Sequence, residues 1–447
     1  MSTSTAEPGS VAATTTGRLA RLRTAPIWSA AAIRDFRLLW ASEGVSILGD
    51  QFHAVAMSWL IITLTGSGVA VATVLIAVSV PRALLLAPMG VMADRRSQRS
   101  LMLFAHLARA AIVAAIALLV ASGNASIPSL AALGFLFGAA DAVYMPSQQA
   151  FVPRAVGSER LPSANALMQG TLQLISIVGP PLAGLVVAAA GTAIAFGVDA
   201  ASFVLAAGLI ALITTTRGRP ASAAAPSKTT GGAAPESFLS SLRAGLRYAL
   251  DDRGIAAMLA VSLVINFALN GPAAVGMAWL AELRYHAGAT GLGLMAAGFS
   301  VGGLAGAVIA GNARLERRGR LLLGALAVAG CATAGVGLAG SLWPAVVLFG
   351  VAGLMIGFVN VVAISWLQAR VETAMLGRVM SLAMLVGFGV SPLSMAVAGG
   401  LIDLNATGLF VGAGALVVVT AVAALALGTA ELFDTAKPAA DGSMPSA

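Results

Sequence analysis

Twelve runs of apolar residues, each near the roughly 20 needed to cross a bilayer core as a helix, dominate the sequence. They lie at 38–64, 69–91, 101–121, 129–152, 164–188, 192–214, 255–280, 290–312, 321–340, 343–367, 375–401 and 407–430. Lipid offers no partner to a backbone amide, so such runs must be helical. The expected fold is an all-α membrane protein with twelve transmembrane helices. Only 10% of residues are charged, against about 25% in soluble domains. That leaves too little polar surface to cover a water-soluble globule.

Charge placement predicts orientation. Of the 26 Lys and Arg, Arg82 and Arg109 lie within spans and Arg284 lies in one set of loops. All the others flank the alternate set of loops and the two ends of the chain. Both termini are therefore expected in the cytoplasm, in a cell (inner or plasma) membrane. The formal charge of +8 sits in short clusters without a basic face, which excludes a nucleic-acid footprint. One Cys331 and three His (His53, His106, His286) exclude a disulfide framework and any Cys- or His-rich metal centre. No G-x-x-x-x-G-K-[ST] loop is present, which argues against ATP-driven pumping, and no Ser/His/Asp constellation marks an enzyme.

The longest connection divides the spans six and six. Residues 1–33 read as a disordered cytoplasmic segment without a signal peptide. A bundle over 34–215 is followed by a cytoplasmic linker over 216–253 and a second bundle over 254–431, with a polar tail at 432–447. Late in the linker, Phe238, Leu239, Leu242, Leu246, Ala249 and Leu250 recur at helical spacing, as expected of a helix lying on the inner membrane surface. The halves look like weak repeats: GVMADRRSQR (Gly90–Arg99) follows span 2 and GNARLERRGR (Gly311–Arg320) follows span 8. Two related bundles around a central cavity form a transporter architecture.

Several stretches resemble a known family. The 6 + 6 arrangement, the long link and Gly90, Asp94, Arg95 and Arg99 of the first loop are similar to the major facilitator superfamily, whose pattern is roughly G-x-L-x-D-R-x-G-R-R. The chain departs from it with Met92, Ser97 and Gln98, and the second copy has Leu315 and Glu316 where the Asp would stand. GPPLAG (Gly179, Pro180, Pro181, Gly184) resembles the family's antiporter signature in shortened form. Phe36–Ser67, MPSQQAFVPRAV (Met145–Val156), SANALMQG (Ser163–Gly170) and GRVMSL (Gly377–Leu382) resemble the enterobactin-exporter and macrolide-efflux branch. The Arg that drug antiporters carry in span 4 is absent here, with no Arg between Leu130 and Pro153.

An ionisable side chain at mid-membrane costs at least about 2.5 kcal/mol and is a functional candidate by default. Glu43, Asp50 and His53 share one face of span 1, and Asp141 lies half-way along span 4. The resemblance implies that spans 1 and 4 line the cavity, which makes Asp50 and Asp141 the leading proton or cation-substrate sites. The alternative is that such carboxylates only tie helices together. Arg109 in span 3 needs an acidic partner, Asp50 or Glu43, unless it snorkels to the headgroups. Asp199 in span 6 reads as structural. The second half has no mid-span acid or base. Its polar candidates are Asn266 and Asn270 in span 7 and Asn360 in span 10, either for substrate or for interhelical hydrogen bonds. By resemblance, Gly90, Asp94, Arg95 and Arg99 form a gating loop in which Asp94 meets the start of span 11 near Thr373–Arg378. Gly179, Pro180, Pro181 and Gly184 are expected to bend span 5 and to allow close packing.

These features imply a secondary exporter, acting as a monomer in the bilayer. It takes no cofactor and no metal, and a proton gradient drives release of a small amphipathic organic molecule. A facilitator or importer without proton coupling, and a non-transporting receptor or assembly protein reusing the fold, remain as alternatives.

Overall fold

The computed structural model describes residues 28–214, 238–313 and 318–434. Residues 1–27 of the segment expected to be disordered, most of the linker, the tail from 435 and Arg314–Arg317 of the second loop repeat lie outside the described residues; Ala30–Ala32 of that first segment form an ordered 3-10 turn with Ala30 buried. The helices are α1 (Arg34–Thr65), α2 (Gly68–Arg95), α3 (Gln98–Ala121), α4 (Ile127–Val156), α5 (Leu161–Ala190) and α6 (Thr192–Ala211) in the first half. The second half holds α7 (Arg253–Ala274), α8 (Gly288–Asn312), α9 (Arg318–Leu338), α10 (Leu342–Arg370), α11 (Thr373–Gly389) and α12 (Ser391–Ala426). A π turn at Leu280–Arg284 ends the α7 crossing.

Eleven of the described helical stretches are long and apolar enough to cross a membrane. The last, Met375–Ala426, has 52 residues. At about 1.5 Å per residue it is more than twice the length that one crossing of about 30 Å requires. It breaks at Asn405, whose backbone is extended (φ −159°, ψ 94°), so it makes two crossings and the total is twelve, as the apolar runs predict.

Local signals set the ends. Ser67, Ser97 and Ser126 each cap the following helix through their hydroxyls. Gly66, with φ 63°, closes α1 in the left-handed region.

Packing repeats between the halves. In the first, α1 lies on α5 and α6, α2 on α4, and α3 on α4 and α6. In the second, α7 lies on α11 and α12, α8 on α10, and α9 on α10 and α12. Lipid gives helices no hydrophobic reason to associate, so close crossings fall at small residues. Gly302 and Gly306 of α8 rest on the backbone of α10 at Gly350 and Leu354, where no Cβ fits.

The halves meet through α5 on α8 and α2 on α12. Gly184 faces the Ala289 carbonyl, Gly293 faces Pro180, and Gly68 faces Gly399. All these contacts lie towards the face away from the termini. Among the described residues, the hydrogen bond between halves that comes nearest the termini face is Gln173 to the Ser300 carbonyl, at 3.4 Å. Among the described residues, the contacts between the halves therefore gather on the side away from the termini.

The amphipathic stretch is helical over Phe238–Asp251 and docks on α11 and α7. Ala249 is buried, while Leu246 and Leu250 are exposed; the side chains of 238–242 lie outside the described residues. Asp252 joins this helix to α7. Its carboxylate accepts from the Gly254 and Ile255 amides at 2.8 and 3.2 Å and from Arg370 Nε at 2.8 Å. Burial alone would raise its pKa, but the hydrogen bonds from Arg370 and the amides outweigh it and hold the carboxyl below its ordinary value. A depressed folded-state pKa gives stabilisation that is present above the unfolded value and lost as pH falls through the folded one. Asp252→Ala should lower stability in detergent at neutral pH by about 1–2 kcal/mol. The gap to wild type should close with acidification, as read from thermal melts; equal melting temperatures at pH 7 would refute the assignment.

Candidate functional site: a buried ion network beside an amide-lined cavity

One face of α1 carries Glu43, Ser46, Asp50 and His53 through the membrane, because residues three, four and seven apart share a helix face. Three other helices bring their polar positions to that face. The centre is Arg109 of α3, buried with 1% exposure. Its Nη1 donates to Asp141 Oδ1 of α4 at 3.1 Å and lies 3.9 Å from Asp50 Oδ1. Its Nη2 reaches Ser46 Oγ at 3.5 Å and His106 Nδ1 at 3.2 Å. A guanidinium only donates, so Nδ1 accepts and the His106 ring proton sits on Nε2. The guanidinium carbon also lies 4.8 Å from the Tyr144 ring centre and 4.4 Å from that of Phe203, which adds cation–π attraction in a desolvated site.

The other two carboxylates differ in their ties. Asp141 is held twice, since its Oδ2 takes Arg82 Nε of α2 at 3.0 Å. Glu43 accepts a hydrogen bond from the Tyr144 hydroxyl. Asp50 has only the 3.9 Å approach to Arg109, and 37% of its side chain is exposed. Asp199 of α6 forms a separate pair, with Oδ2 3.1 Å from His53 Nδ1. The His53 ring stacks on Phe137, with centroids 4.5 Å apart. This pair is nearly sealed: the side chains are 10% and 0% exposed.

The structure thus brings Glu43, Asp50, Asp141 and Arg109 together and places His53 with Asp199. Arg109 has the expected Asp50 at 3.9 Å, but its nearest acid is Asp141 at 3.1 Å, and a partnered, buried Arg109 does not snorkel. Sequence reasoning missed Arg82 and Tyr144. Arg82 lies as deep in α2 as Asp50 lies in α1, so the mid-span rule could have found it. Tyr144 lies one turn from Asp141.

In the second half, a cavity of about 330 Å³ opens between α7, α8, α9 and α10. Ser262, Asn266, Asn270, Asn360 and Thr333 are its polar lining, among apolar side chains such as Phe299 and Phe349. Asn266 Nδ2 donates to the Ser262 carbonyl at 2.8 Å, and Asn270 Nδ2 to Asn266 Oδ1 at 3.3 Å. The Asn360 amide makes no hydrogen bond among the described residues and is exposed. No ionisable group lines the cavity.

The loop Gly90–Arg99 is tied to its own half. Arg99 donates to the Ile210 and Ala211 carbonyls at the end of α6, at 3.2 and 2.5 Å. Gln98 links Ala93 to Arg154. Gly90 has open space around it and Arg95 is exposed. The Asp94 side chain lies outside the described residues. The Thr373 side chain does too, so the expected contact of Asp94 with the start of span 11 lies outside the described residues. GPPLAG lies within the continuous helix α5, and Pro180 and Gly184 supply its close contact with α8.

A family model described as "transmembrane secretion effector" matches residues 25–444. The chain belongs to this family of the major facilitator superfamily. That family includes enterobactin-exporter-like members, and its members are transporters, not enzymes. An uncharacterized MFS-type transporter, y4rN, of Sinorhizobium fredii is 29% identical over 334 residues, which are 72% of this chain and 77% of the relative. An uncharacterized MFS-type transporter, YvqJ, of Bacillus subtilis is 31% identical over 152 residues, covering 34% and 36% of the two chains. Among solved structures, a POT family transporter superposes with TM-score 0.70 at 11% identity, over 88% of this chain and 96% of its own. A bacterial homologue of the iron transporter ferroportin, in an inward-facing state, gives 0.66 at 18% identity over 90% and 98%. At such identities the likeness shows the fold. The protein is a multi-pass membrane transporter of the major facilitator type.

Proposed function

We propose that this major facilitator transporter is a proton-coupled exporter of a small amphipathic organic compound, working by alternating access as a monomer. The observation that carries this reading is a charge excess inside the membrane. Glu43, Asp50 and Asp141 face two guanidinium groups, Arg82 and Arg109. One carboxylate is left without a counter-charge, and an uncompensated charge in a low-dielectric site is expensive. A single proton neutralises the network. Asp50 makes no hydrogen bond among the described residues and 37% of its side chain is exposed, so it takes that proton. Asp141, tied to both guanidinium groups, and Glu43, bonded to Tyr144, hold the helices around it.

The distribution of Lys and Arg supports a cytoplasmic position for both termini. The described contacts between the halves then lie on the outer side, which supports an inward-open form in which an exporter loads its cargo from the cytoplasm. The 330 Å³ cavity supports a cargo whose bound part is neutral and largely apolar, with an acceptor or donor for the Asn360 and Asn270 amides. Macrolide- and siderophore-like compounds have this mixed character.

The test is efflux of a compound panel from loaded vesicles under an imposed pH gradient, with the gradient then dissipated. Gradient-driven efflux of at least one compound is expected. Movement indifferent to the gradient would leave a facilitator, and no movement of any compound would favour a receptor. Asn360→Leu should raise the KM of a transported compound about tenfold, by removing one buried hydrogen bond. An unchanged KM would take Asn360 out of the binding site.

A further inference from the structure

The face away from the termini is shut by a contact that the twelve-helix reading does not use. Asp403 lies in α12 just before the break at Asn405, at the end of the eleventh crossing. Its carboxylate reaches the other half. Oδ2 accepts from Ser67 Oγ at 2.7 Å and from the Val69 amide at 3.2 Å, and Oδ1 accepts from the Gly68 amide at 2.7 Å. The two amides belong to the first turn of α2, whose N–H groups have no partner within the helix. The helix's own cap is weak, since Ser67 Oγ is 3.5 Å from the Ala70 amide. An acid borrowed from the opposite half completes it, and its charge suits the positive end of the helix dipole.

The backbone beneath is built for the same contact. A Cβ on Gly399 would come within 2.6 Å of Ala72 Cβ and 2.8 Å of the Gly68 carbonyl, and one on Gly68 within 3.2 Å of the Gly399 carbonyl. Only a pair of glycines lets the two helices come this near. Ile402, one residue before Asp403, is buried there with 1% exposure. Unlike Arg109, Asp403 and Val69 are exposed at this face and Ser67 is half-buried. Water can replace each of their hydrogen bonds when the helices separate, so this cap can break in every cycle at little cost.

We infer that Asp403 is a gating residue that holds the outer side closed by capping α2 across the two halves. The inference rests on the alternating-access reading above. The eleventh crossing and α2 run antiparallel, so an acid at the outer end of that crossing meets the start of α2. Opening the outer side must pull Asp403 from α2, and this contact sets how often that happens.

The experiment measures the distance between spin labels at Asn124→Cys and Ser341→Cys, in the α3–α4 and α9–α10 loops of that face. It uses the full chain in lipid nanodiscs with Cys331→Ser. Asp403→Asn should enlarge the long-distance population about fivefold, since the cap loses its charge and one acceptor. Asp403→Glu should restore part of the closed state. Ser67→Ala, which removes one donor, should give a smaller shift and replaces Asp403→Asn if that variant does not fold. If wild type shows a long-distance population that neither Asp403→Asn nor Ser67→Ala enlarges, the gating role is refuted while alternating access stands. If no variant ever shows that population, alternating access fails and takes the gate with it.

Discussion

Asp50→Asn is expected to abolish gradient-driven transport while leaving exchange of substrate across the membrane intact. The amide keeps the shape of the carboxyl and cannot bind or release a proton. Glu43 and Asp141 then balance Arg82 and Arg109 without any proton, so no charge excess is left for a proton to neutralise, and both remaining carboxylates are already hydrogen-bonded or paired. The variant should fold, because Asp50 makes no hydrogen bond among the described residues and its side chain is 37% exposed. In loaded vesicles, an imposed pH gradient should no longer accelerate efflux. Counterflow of labelled against unlabelled substrate should persist. Efflux that still accelerates with the gradient would remove Asp50 from coupling and leave the proton with Asp141 or Glu43.

Arg109→Leu should be the most damaging single change to stability. The guanidinium is buried with 1% exposure and contacts Asp141, Ser46, His106, Tyr144 and Phe203. Breaking a buried pair by removing one partner typically costs about 3–5 kcal/mol, because the remaining charge is stranded. Arg109→Lys keeps the charge but loses the planar fork and its stacking between two rings, so it should recover only part of that loss. Adding Asp141→Asn to Arg109→Leu should recover some stability as well, since it removes the stranded carboxylate. Thermal unfolding in detergent reads all three. An Arg109→Leu melting temperature equal to wild type would mean that the network does not stabilise the bundle.

Much of the site was visible one side chain at a time. The cost of a charge in lipid marks Asp50, Asp141, Glu43 and Arg109 without any structure, and it marks Arg82 by the same rule. What it does not provide is the pairing. Arg109 and Asp141 are 32 positions apart and meet only because α3 packs on α4. The tie between Arg82 and Asp141 needs α2 on α4 in addition. The three asparagines could likewise be named but not placed. They line one cavity because α7 and α10 flank the same space.

The sequence by itself determined the number of crossings and their approximate limits. The physical reason is that lipid forces each apolar run to satisfy its own backbone hydrogen bonds, which is a local requirement. Tertiary structure alone decided which face each helix turns inward, which carboxylate lacks a hydrogen bond among the described residues, and where the two halves touch. A helix that is apolar all round carries little record of its orientation, because lipid and protein interior are equally apolar. The contact of Asp403 with Ser67, 336 positions apart, exists only when the two halves are already assembled.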